Sequence, residues 1–193
     1  MITPVALLVA FQGRPEPDWL PVLDAPRNLT HVLQLPAPQH PGSKLEIRGT
    51  VLKRDGKSAA AGIVLYFHHT DARGVYPGRS AANPNDWTHW HGTLRGWLKT
   101  DAQGRYLLRT TRPAPYPGGA EPAHIHVYGV ASGSRQGFMF NDILFDGDRL
   151  INDEYWARVR RFGTKPYPGI KLTKRADGTL VGQWDFVLPT DAR

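Results

Sequence analysis

The sequence predicts an all-β protein whose core is an antiparallel β-sandwich. Gly and Pro are abundant, with 20 and 17 residues in a chain of 193, and no long stretch rich in Ala, Leu, Glu and Lys occurs. Short apolar or alternating runs recur at regular spacing between Asp-Gly and Gly-x turns, which is typical of a sandwich. The length suits one domain with a substantial core.

The chain divides into an arm and a domain. Residues 1–44 are rich in proline, as in Arg14-Pro15-Glu16-Pro17 and Leu35-Pro36-Ala37-Pro38, and predict an extended N-terminal arm with little regular structure. Residues 45–193 are predicted to form the β-sandwich domain. Extended arms often make contacts between subunits, so we expect that the protein could assemble as a homo-oligomer.

The first half of the domain predicts two strands. Residues 45–52 alternate between apolar and polar side chains, as in a half-buried strand, and Asp55-Gly56 forms a hairpin-type turn after it. Residues 62–69 are more apolar and predict a buried strand. Because successive residues of a strand point to opposite faces, we expect one of His68 and His69 to be buried and the other exposed.

The second half predicts five strands and one short helix. Strands at 94–100 and 105–111 are joined by the turn Asp101-Ala102-Gln103-Gly104. A strand at 124–130 follows, and a shorter one at 141–145 ends in the turn Asp146-Gly147-Asp148. Residues 151–162 predict the helix, and 182–188 the last strand.

Composition excludes several classes of site. The chain has no cysteine, which excludes disulfides, zinc-thiolate sites, iron–sulfur clusters and cysteine nucleophiles. A chain without cysteine is compatible with the cytoplasm, the periplasm and the medium. The sequence therefore leaves the compartment open, with the cytoplasm slightly favoured.

The net charge of +7 does not by itself predict a nucleic-acid partner. The 24 Lys and Arg residues are scattered against 17 Asp and Glu, apart from one cluster formed by Arg158, Arg160, Arg161 and Lys165 and the pair Lys174-Arg175. No nucleic-acid-binding motif accompanies them. The apolar run at 2–11 is too short to span a bilayer, so no membrane span is expected.

Two histidines separated by one residue, His124 and His126, are the clearest sign of chemistry. Residues i and i+2 of a strand point to the same face, so the pair presents two imidazoles side by side, spaced to hold one metal ion. Tyr116 lies eight residues before His124 and could add a hard oxygen ligand. Imidazole with tyrosinate suits iron better than calcium or magnesium.

Several ordered segments resemble the intradiol ring-cleavage dioxygenases, the family of catechol and protocatechuate dioxygenases. The segments are Gly49-Thr50-Val51, Asp55-Gly56, the run 66–76, Leu94-Arg95-Gly96, the run 100–106, Thr110-Thr111-Arg112-Pro113, Tyr116-Pro117, the run 122–126 and Phe145-Asp146-Gly147-Asp148. Each segment alone is a weak signal. The ordered set, with its turn glycines in place over roughly residues 45–150, is strong.

This resemblance implies an enzyme with non-haem Fe(III). By position, the family's two tyrosine and two histidine ligands would be Tyr76, Tyr116, His124 and His126. Two tyrosinate anions compensate a trivalent cation, and metal coordination favours their deprotonated form. The partners would be a small aromatic diol and O₂, with cleavage between the hydroxyl carbons to a cis,cis-muconate type product. Tyr116 would also act as a catalytic base for a substrate proton.

Two positions depart from the family pattern. Glu121 stands where an arginine is common, three residues before His124, and Asp142 stands where a glutamine is common. In the family these residues help to orient and polarise the substrate. Replacing a cation by an anion should change the electrostatics of the substrate pocket. Arg95 or Arg112 could supply the missing positive charge.

Three tryptophans between positions 87 and 97 are predicted to line the entrance of the same pocket. Trp87, Trp90 and Trp97 could contact an aromatic substrate. A second H-x-H pair, His89 and His91, lies among them and could form a rival metal site, but no carboxylate or tyrosine pattern accompanies it.

Two other functions stay open. The departures at Glu121 and Asp142 are compatible with a β-sandwich that binds metal or a partner but is non-catalytic or weakly active, because fold does not fix function. A zinc or iron hydrolase could use His124 and His126, with Glu121 as the nearest carboxylate in the sequence.

Overall fold

The fold is a β-sandwich, as predicted. The computed structural model describes residues 20–35, 41–78, 90–119 and 121–189. Within these residues two sheets pack face to face, and their facing side chains form one apolar core. Phe67 of one sheet and Tyr106 of the other meet in this core, with ring centroids 6.0 Å apart.

The strands of the two sheets are short. Their bounds are β1 Val32–Gln34, β2 Lys44–Leu52, β3 Val64–His68, β4 Arg95–Lys99, β5 Arg105–Thr111, β6 His124–Val130, β7 Gly137–Met139, β8 Ile143–Leu144, β9 Thr173–Lys174, β10 Leu180–Gln183 and β11 Phe186–Val187. The first sheet has the order β1-β5-β2-β10-β9, with β11 beside β2. The second has the order β4-β3-β6-β7, with β8 beside β6.

The sheets are less uniform than the sequence predicts. The pairs β1 with β5, β10 with β2 and β11 with β2 are parallel, whereas the other strand pairs are antiparallel. Strands β1, β7 and β9 were not predicted. They have two or three residues each, too few to show a period of two.

The described part of the predicted arm packs on the sandwich. A 3₁₀ helix at Leu20–Asp24 places Val22 against the second sheet, and β1 pairs with β5. Leu35 then enters the core, where it is almost fully buried. The boundary at residue 44 stays a prediction, and residues 1–19 and 36–40 lie outside the described part.

The second sheet is covered on both faces. Leu65 and Phe67 of β3 point into the core, while Tyr66 and His68 lie on the outer face, opposite Tyr128 and His126 of β6. The prediction that one of His68 and His69 is exposed was wrong, because both are buried. The outer face is covered at His68, and the His69 ring forms a hydrogen bond with Thr110 of β5.

A short helix, α1, spans Asp153–Arg160, within the predicted range. The Asn152 side chain accepts a hydrogen bond from the Tyr155 backbone N–H at 3.0 Å and caps its N-terminus. Tyr155 is its buried residue, and Arg158 faces the loop before β6. In the part of the chain that the structure describes, no helix is both long and apolar enough to cross a membrane.

Candidate metal centre

The first two members of the candidate site are His124 and His126 of β6. The strand places both imidazoles on the outer face of the second sheet, as the spacing predicts. Their Nε2 atoms lie 3.0 Å apart, and the rings stand almost edge to face. His124 is buried and His126 is partly exposed.

Each imidazole is held from behind through Nδ1. His124 Nδ1 donates to the Pro122 carbonyl at 2.7 Å, and His126 Nδ1 donates to the Asp142 carboxylate at 3.0 Å. Both acceptors lack a proton to give, so the Nδ1–H tautomer is fixed in each ring. The two Nε2 atoms are therefore the ring nitrogens that face one another.

Two tyrosine hydroxyls complete the cluster. The Tyr116 oxygen lies 3.1 Å from His124 Nε2 and 3.2 Å from His126 Nε2. The Tyr76 oxygen lies 2.8 Å from the Tyr116 oxygen. The structure thus brings together the four residues that the resemblance selects, although Tyr76 and His126 are 50 positions apart.

Contacts between two loops bring the tyrosines together. Gly74 has φ +79°, and a Cβ there would lie 1.9 Å from the Pro115 carbonyl oxygen. Only glycine permits this close approach of the Tyr76 loop to the Tyr116 loop. The Asp71 carbonyl accepts the Ala114 N–H at 3.0 Å, and the Thr70 hydroxyl donates to the Ala114 carbonyl at 2.9 Å.

The Asp71 carboxylate organises the turn before Tyr76. It accepts hydrogen bonds from the backbone N–H groups of Arg73 and Val75 and from the Arg73 guanidinium. Burial raises the pKa of Asp71, but these donors together lower it. The sequence analysis included Asp71 only within the run 66–76, and its spacing before Tyr76 was the available signal.

The two tyrosine oxygens and the two Nε2 atoms have too few protons to make every contact among them a hydrogen bond. Tyr76, Tyr116, His124 and His126 make four close contacts of 2.8 to 3.2 Å among themselves. Their two hydroxyls supply two protons, and an added proton on His126 Nε2 would supply a third. At least one contact therefore sets lone pair against lone pair, an arrangement that a cation would relieve.

The spacing of the donors also suits a metal ion. Donors about 2.1 Å from a metal and at right angles to each other lie about 3.0 Å apart. The Tyr116 oxygen and the two Nε2 atoms are separated by 3.0, 3.1 and 3.2 Å. These three atoms match one face of such a coordination shell, and their mixed oxygen and imidazole chemistry fits iron.

Burial and neighbouring charges shift the pKa values of the cluster. Burial lowers the pKa of His124 to about 4, with a further contribution from His126. Burial also opposes charge on His126, but Asp142 and Tyr116 outweigh it and raise its pKa to about 10. Burial, followed by the nearby Tyr116, raises the pKa of Tyr76 well above its ordinary value. A bound cation would compete with these protons.

Glu121 and Asp142 both lie beside the cluster. Asp142 bonds His126, and Glu121 forms an ion pair with Arg158 of α1 at 2.9 Å. Burial raises the pKa of Glu121, whereas Arg158 lowers it and Asp142 raises it further. The guanidinium paired with Glu121 thus comes from Arg158, which the sequence analysis noted only as part of a basic cluster.

Three of the other residues predicted for the pocket, Arg95, Arg112 and Trp90, are described by the structure and do not belong to the four-residue cluster. Arg95 is opposite His68 on β4, two strands from β6. The Arg112 guanidinium lies over the Phe145 ring, 4.9 Å from its centroid. Trp90 is partly buried beside His91, and Trp87 and His89 lie outside the described residues.

His68 and His91 form a layer beside the cluster that sequence reasoning missed. Their rings stack with centroids 3.7 Å apart, and His68 also lies 4.5 Å from the His126 ring. His91 bonds the Tyr66 hydroxyl at 2.9 Å. Both ring nitrogens of the buried His68 lack a hydrogen-bond partner among the described residues. The second H-x-H pair therefore contributes His91 to packing against the site.

The carboxylates near His124 and His126 are not directed at the atoms that a hydrolase metal site would use. His124, His126 and Asp142 form a compact group of potential ligands. However, Asp142 contacts Nδ1 of His126, whereas Tyr116 and His124 contact its Nε2. Glu121, the carboxylate proposed for a hydrolase, is engaged with Arg158. The converging atoms therefore favour the set with two tyrosines.

Comparison with known sequences gives a consistent result. A family model described as dioxygenase matches residues 16–189. A chlorocatechol 1,2-dioxygenase from a Pseudomonas species is 38% identical over 162 residues, covering 75% of this chain and 58% of that protein. Catechol 1,2-dioxygenase 1 of Acinetobacter lwoffii is 30% identical over 161 residues, covering 75% and 48%. The chain thus spans about half the length of these curated relatives.

Comparison with solved structures agrees on the fold. An intradiol ring-cleavage dioxygenase from Tetranychus urticae superposes with a TM-score of 0.64 at 18% identity, covering 87% of this chain and 91% of that one. A chlorocatechol 1,2-dioxygenase from Pseudomonas putida superposes with a TM-score of 0.57 at 28% identity, covering 84% and 66%. The first likeness concerns the fold alone.

Proposed function

Because the chain belongs to the intradiol dioxygenase family, we propose that it is a non-haem Fe(III) enzyme. Its reaction is the cleavage of a catechol-type diol between the two hydroxyl carbons, with both atoms of O₂ entering a muconate-type product. The observation that carries the proposal is the convergence of Tyr76, Tyr116, His124 and His126 on one point of the outer face.

The four side chains have distinct tasks in this proposal. Tyr76 and Tyr116, as phenolates, supply two negative charges toward a trivalent cation, and His124 and His126 supply neutral Nε2 donors. Bound Fe(III) supplies the Lewis acidity and electron withdrawal that make a diol reactive toward O₂. The Tyr116 oxygen, in contact with the other three donor atoms, also accepts a hydroxyl proton from the diol as a general base.

The first experiment measures iron, colour and oxygen uptake in the purified chain. We expect about one iron per chain, a visible band from tyrosinate-to-iron charge transfer, and a change in that band when a diol is added without O₂. Catechol, protocatechuate and hydroxyquinol should be compared, with O₂ uptake recorded. A colourless protein that takes up no iron would overturn the proposal.

A pair of tyrosine variants tests the assignment of Tyr116. Tyr116→Phe should abolish both colour and turnover. Tyr106→Phe is the matched control, because the Tyr106 hydroxyl donates to the Trp184 carbonyl at 2.7 Å on the core side of the first sheet. A hydrolase that used only His124 and His126 would survive Tyr116→Phe largely intact.

The alternative is a non-catalytic or weakly active metal-binding module. The carboxylates of Glu121 and Asp142 beside the cluster favour it, because they add negative charge where an anionic diol would bind. Iron bound at full occupancy, with no O₂ uptake on any of the three diols, would support this alternative over the enzyme.

A further inference from the structure

Asp142 occupies a fixed place directly behind His126. Strand β8 pairs with β6 through His124 with Leu144 and Ile125 with Ile143, so continuation of this register sets Asp142 opposite His126. The Asp142 carbonyl accepts the Tyr167 hydroxyl at 3.0 Å, which holds the backbone there. The carboxylate position is therefore set by the sheet.

The two imidazoles differ in what holds them. His124 donates to a neutral backbone carbonyl, that of Pro122. His126 donates to a carboxylate whose side chain is only 20% exposed. An imidazole that donates to an anion becomes a stronger electron donor through its other nitrogen. The structure thus makes His126 and His124 unequal donors.

The Asp142 carboxylate pairs with the His126 ring at 3.0 Å, and the two side chains are only 20% and 19% exposed. Glu121 also lies nearby, with Arg158 as its ion-pair partner. Asp142 therefore brings negative charge to the ring that it orients.

We propose that Asp142 is a positioning residue that fixes the tautomer of His126 and strengthens its Nε2 as a donor, so that the site favours Fe(III) over Fe(II). This inference rests on the proposed function for the identity of the metal. Asp142 does not need to touch the metal, because it acts through the hydrogen bond to Nδ1. Together with the two tyrosinates, the Asp142 carboxylate would increase the negative charge around the metal ion.

The test compares Asp142→Asn with Asp146→Asn. Asparagine keeps the size and the acceptor oxygen at position 142 but removes the charge. Asp146 is an exposed carboxylate four positions later and serves as the matched control. Two quantities are measured: the Fe(III)/Fe(II) midpoint potential of the loaded protein, and the affinity of the metal-free protein for Co²⁺.

For Asp142→Asn we expect a higher midpoint potential, a charge-transfer band shifted to longer wavelength, and Co²⁺ affinity lowered about 10- to 100-fold. Asp146→Asn should change none of these. Asp142→Glu keeps the charge and should recover part of the loss, and it replaces Asp142→Asn as the test if the latter does not fold. An unchanged potential and Co²⁺ affinity in Asp142→Asn would overturn the inference.

The Co²⁺ measurement separates this inference from the proposed function. If the wild-type chain takes up no ferric iron, the proposed function fails. The effect of Asp142 on His126 can still be measured as the Co²⁺ affinity of the wild type relative to Asp142→Asn.

Discussion

The two faces of β6 are both largely buried, yet they are built from opposite kinds of side chain. Ile125 and Val127 face the core and are fully buried among apolar residues. His124, His126 and Tyr128 face the outer layer, where polar rings pack against one another. The core face gains free energy from burial alone, whereas the outer face must satisfy each polar atom it buries.

The outer face does not satisfy all of them. The two Nε2 atoms of the histidine pair face each other, and His68 buries both ring nitrogens without a partner among the described residues. Stability therefore comes from the core face, and the outer face gives up some stability to hold the polar cluster that we propose binds a metal ion. Variants that affect one face and spare the other test this division.

The largest expected contrast is between two neighbouring residues. His124→Ala should abolish iron binding and change the free energy of unfolding of the metal-free protein by less than about 1 kcal/mol. Ile125→Ala should lower that free energy by about 2–4 kcal/mol and keep iron in the folded fraction. Denaturant unfolding and metal analysis measure both. Equal destabilisation by the two variants would contradict the division between faces.

Gly74→Ala should cause the next largest effect, because a Cβ there meets the Pro115 carbonyl oxygen and forces the tyrosine loops apart. We expect loss of most of the iron and of the charge-transfer band. Gly147→Ala is the matched control, since Gly147 has the same φ of +79° with no atom within 4 Å of a Cβ. It should show backbone strain of about 1 kcal/mol and full colour. Equal loss of colour in both variants would contradict the role of the close approach.

The Glu121–Arg158 ion pair should matter for both stability and substrate charge. Its side chains are only 29% and 20% exposed, so removing one partner leaves a charge in a poorly solvated place. Glu121→Gln and Arg158→Gln should each lower the free energy of unfolding by about 1–2 kcal/mol. The double variant should lower it by less than the sum of the two single variants. Thermal unfolding of the four proteins measures this coupling.

The same variants should shift the choice of diol in opposite directions. Arg158→Gln removes the ion-pair partner of Glu121, so kcat/KM for the anionic protocatechuate should fall relative to catechol. Glu121→Gln should raise that ratio. A ratio that stays constant in both variants would place the ion pair outside the substrate pocket.

The smallest expected effect is a gain in the stability of the metal-free protein. His68→Phe keeps a ring stacked on His91 and removes two buried nitrogens without partners, so the metal-free protein should gain about 1 kcal/mol. His69→Phe is the control, because both nitrogens of His69 have partners, in Thr70 and Thr110. It should lose stability. A loss of stability in His68→Phe would show that the outer face is better satisfied than its contacts indicate.

Much of the fold and the histidine pair could be predicted from the sequence. The period of two along 124–130 sets His124 and His126 on one face, and turn residues such as Asp55-Gly56 and Gly104 mark where strands end. These signals act over a few residues and need no knowledge of the rest of the chain. Short strands such as β7 and the parallel pairing of β1 were missed because two or three residues carry no period.

Tertiary structure alone decided how the site is assembled. Tyr76 and Tyr116 meet because Gly74 lets one loop touch the carbonyl of Pro115, and Glu121 meets Arg158 across 37 positions. Asp142 reaches His126 through the register of β8 on β6. The sequence determined which residue types could bind a metal and which strand carries two of them. Their convergence depended on contacts between distant segments, which local periodicity does not encode.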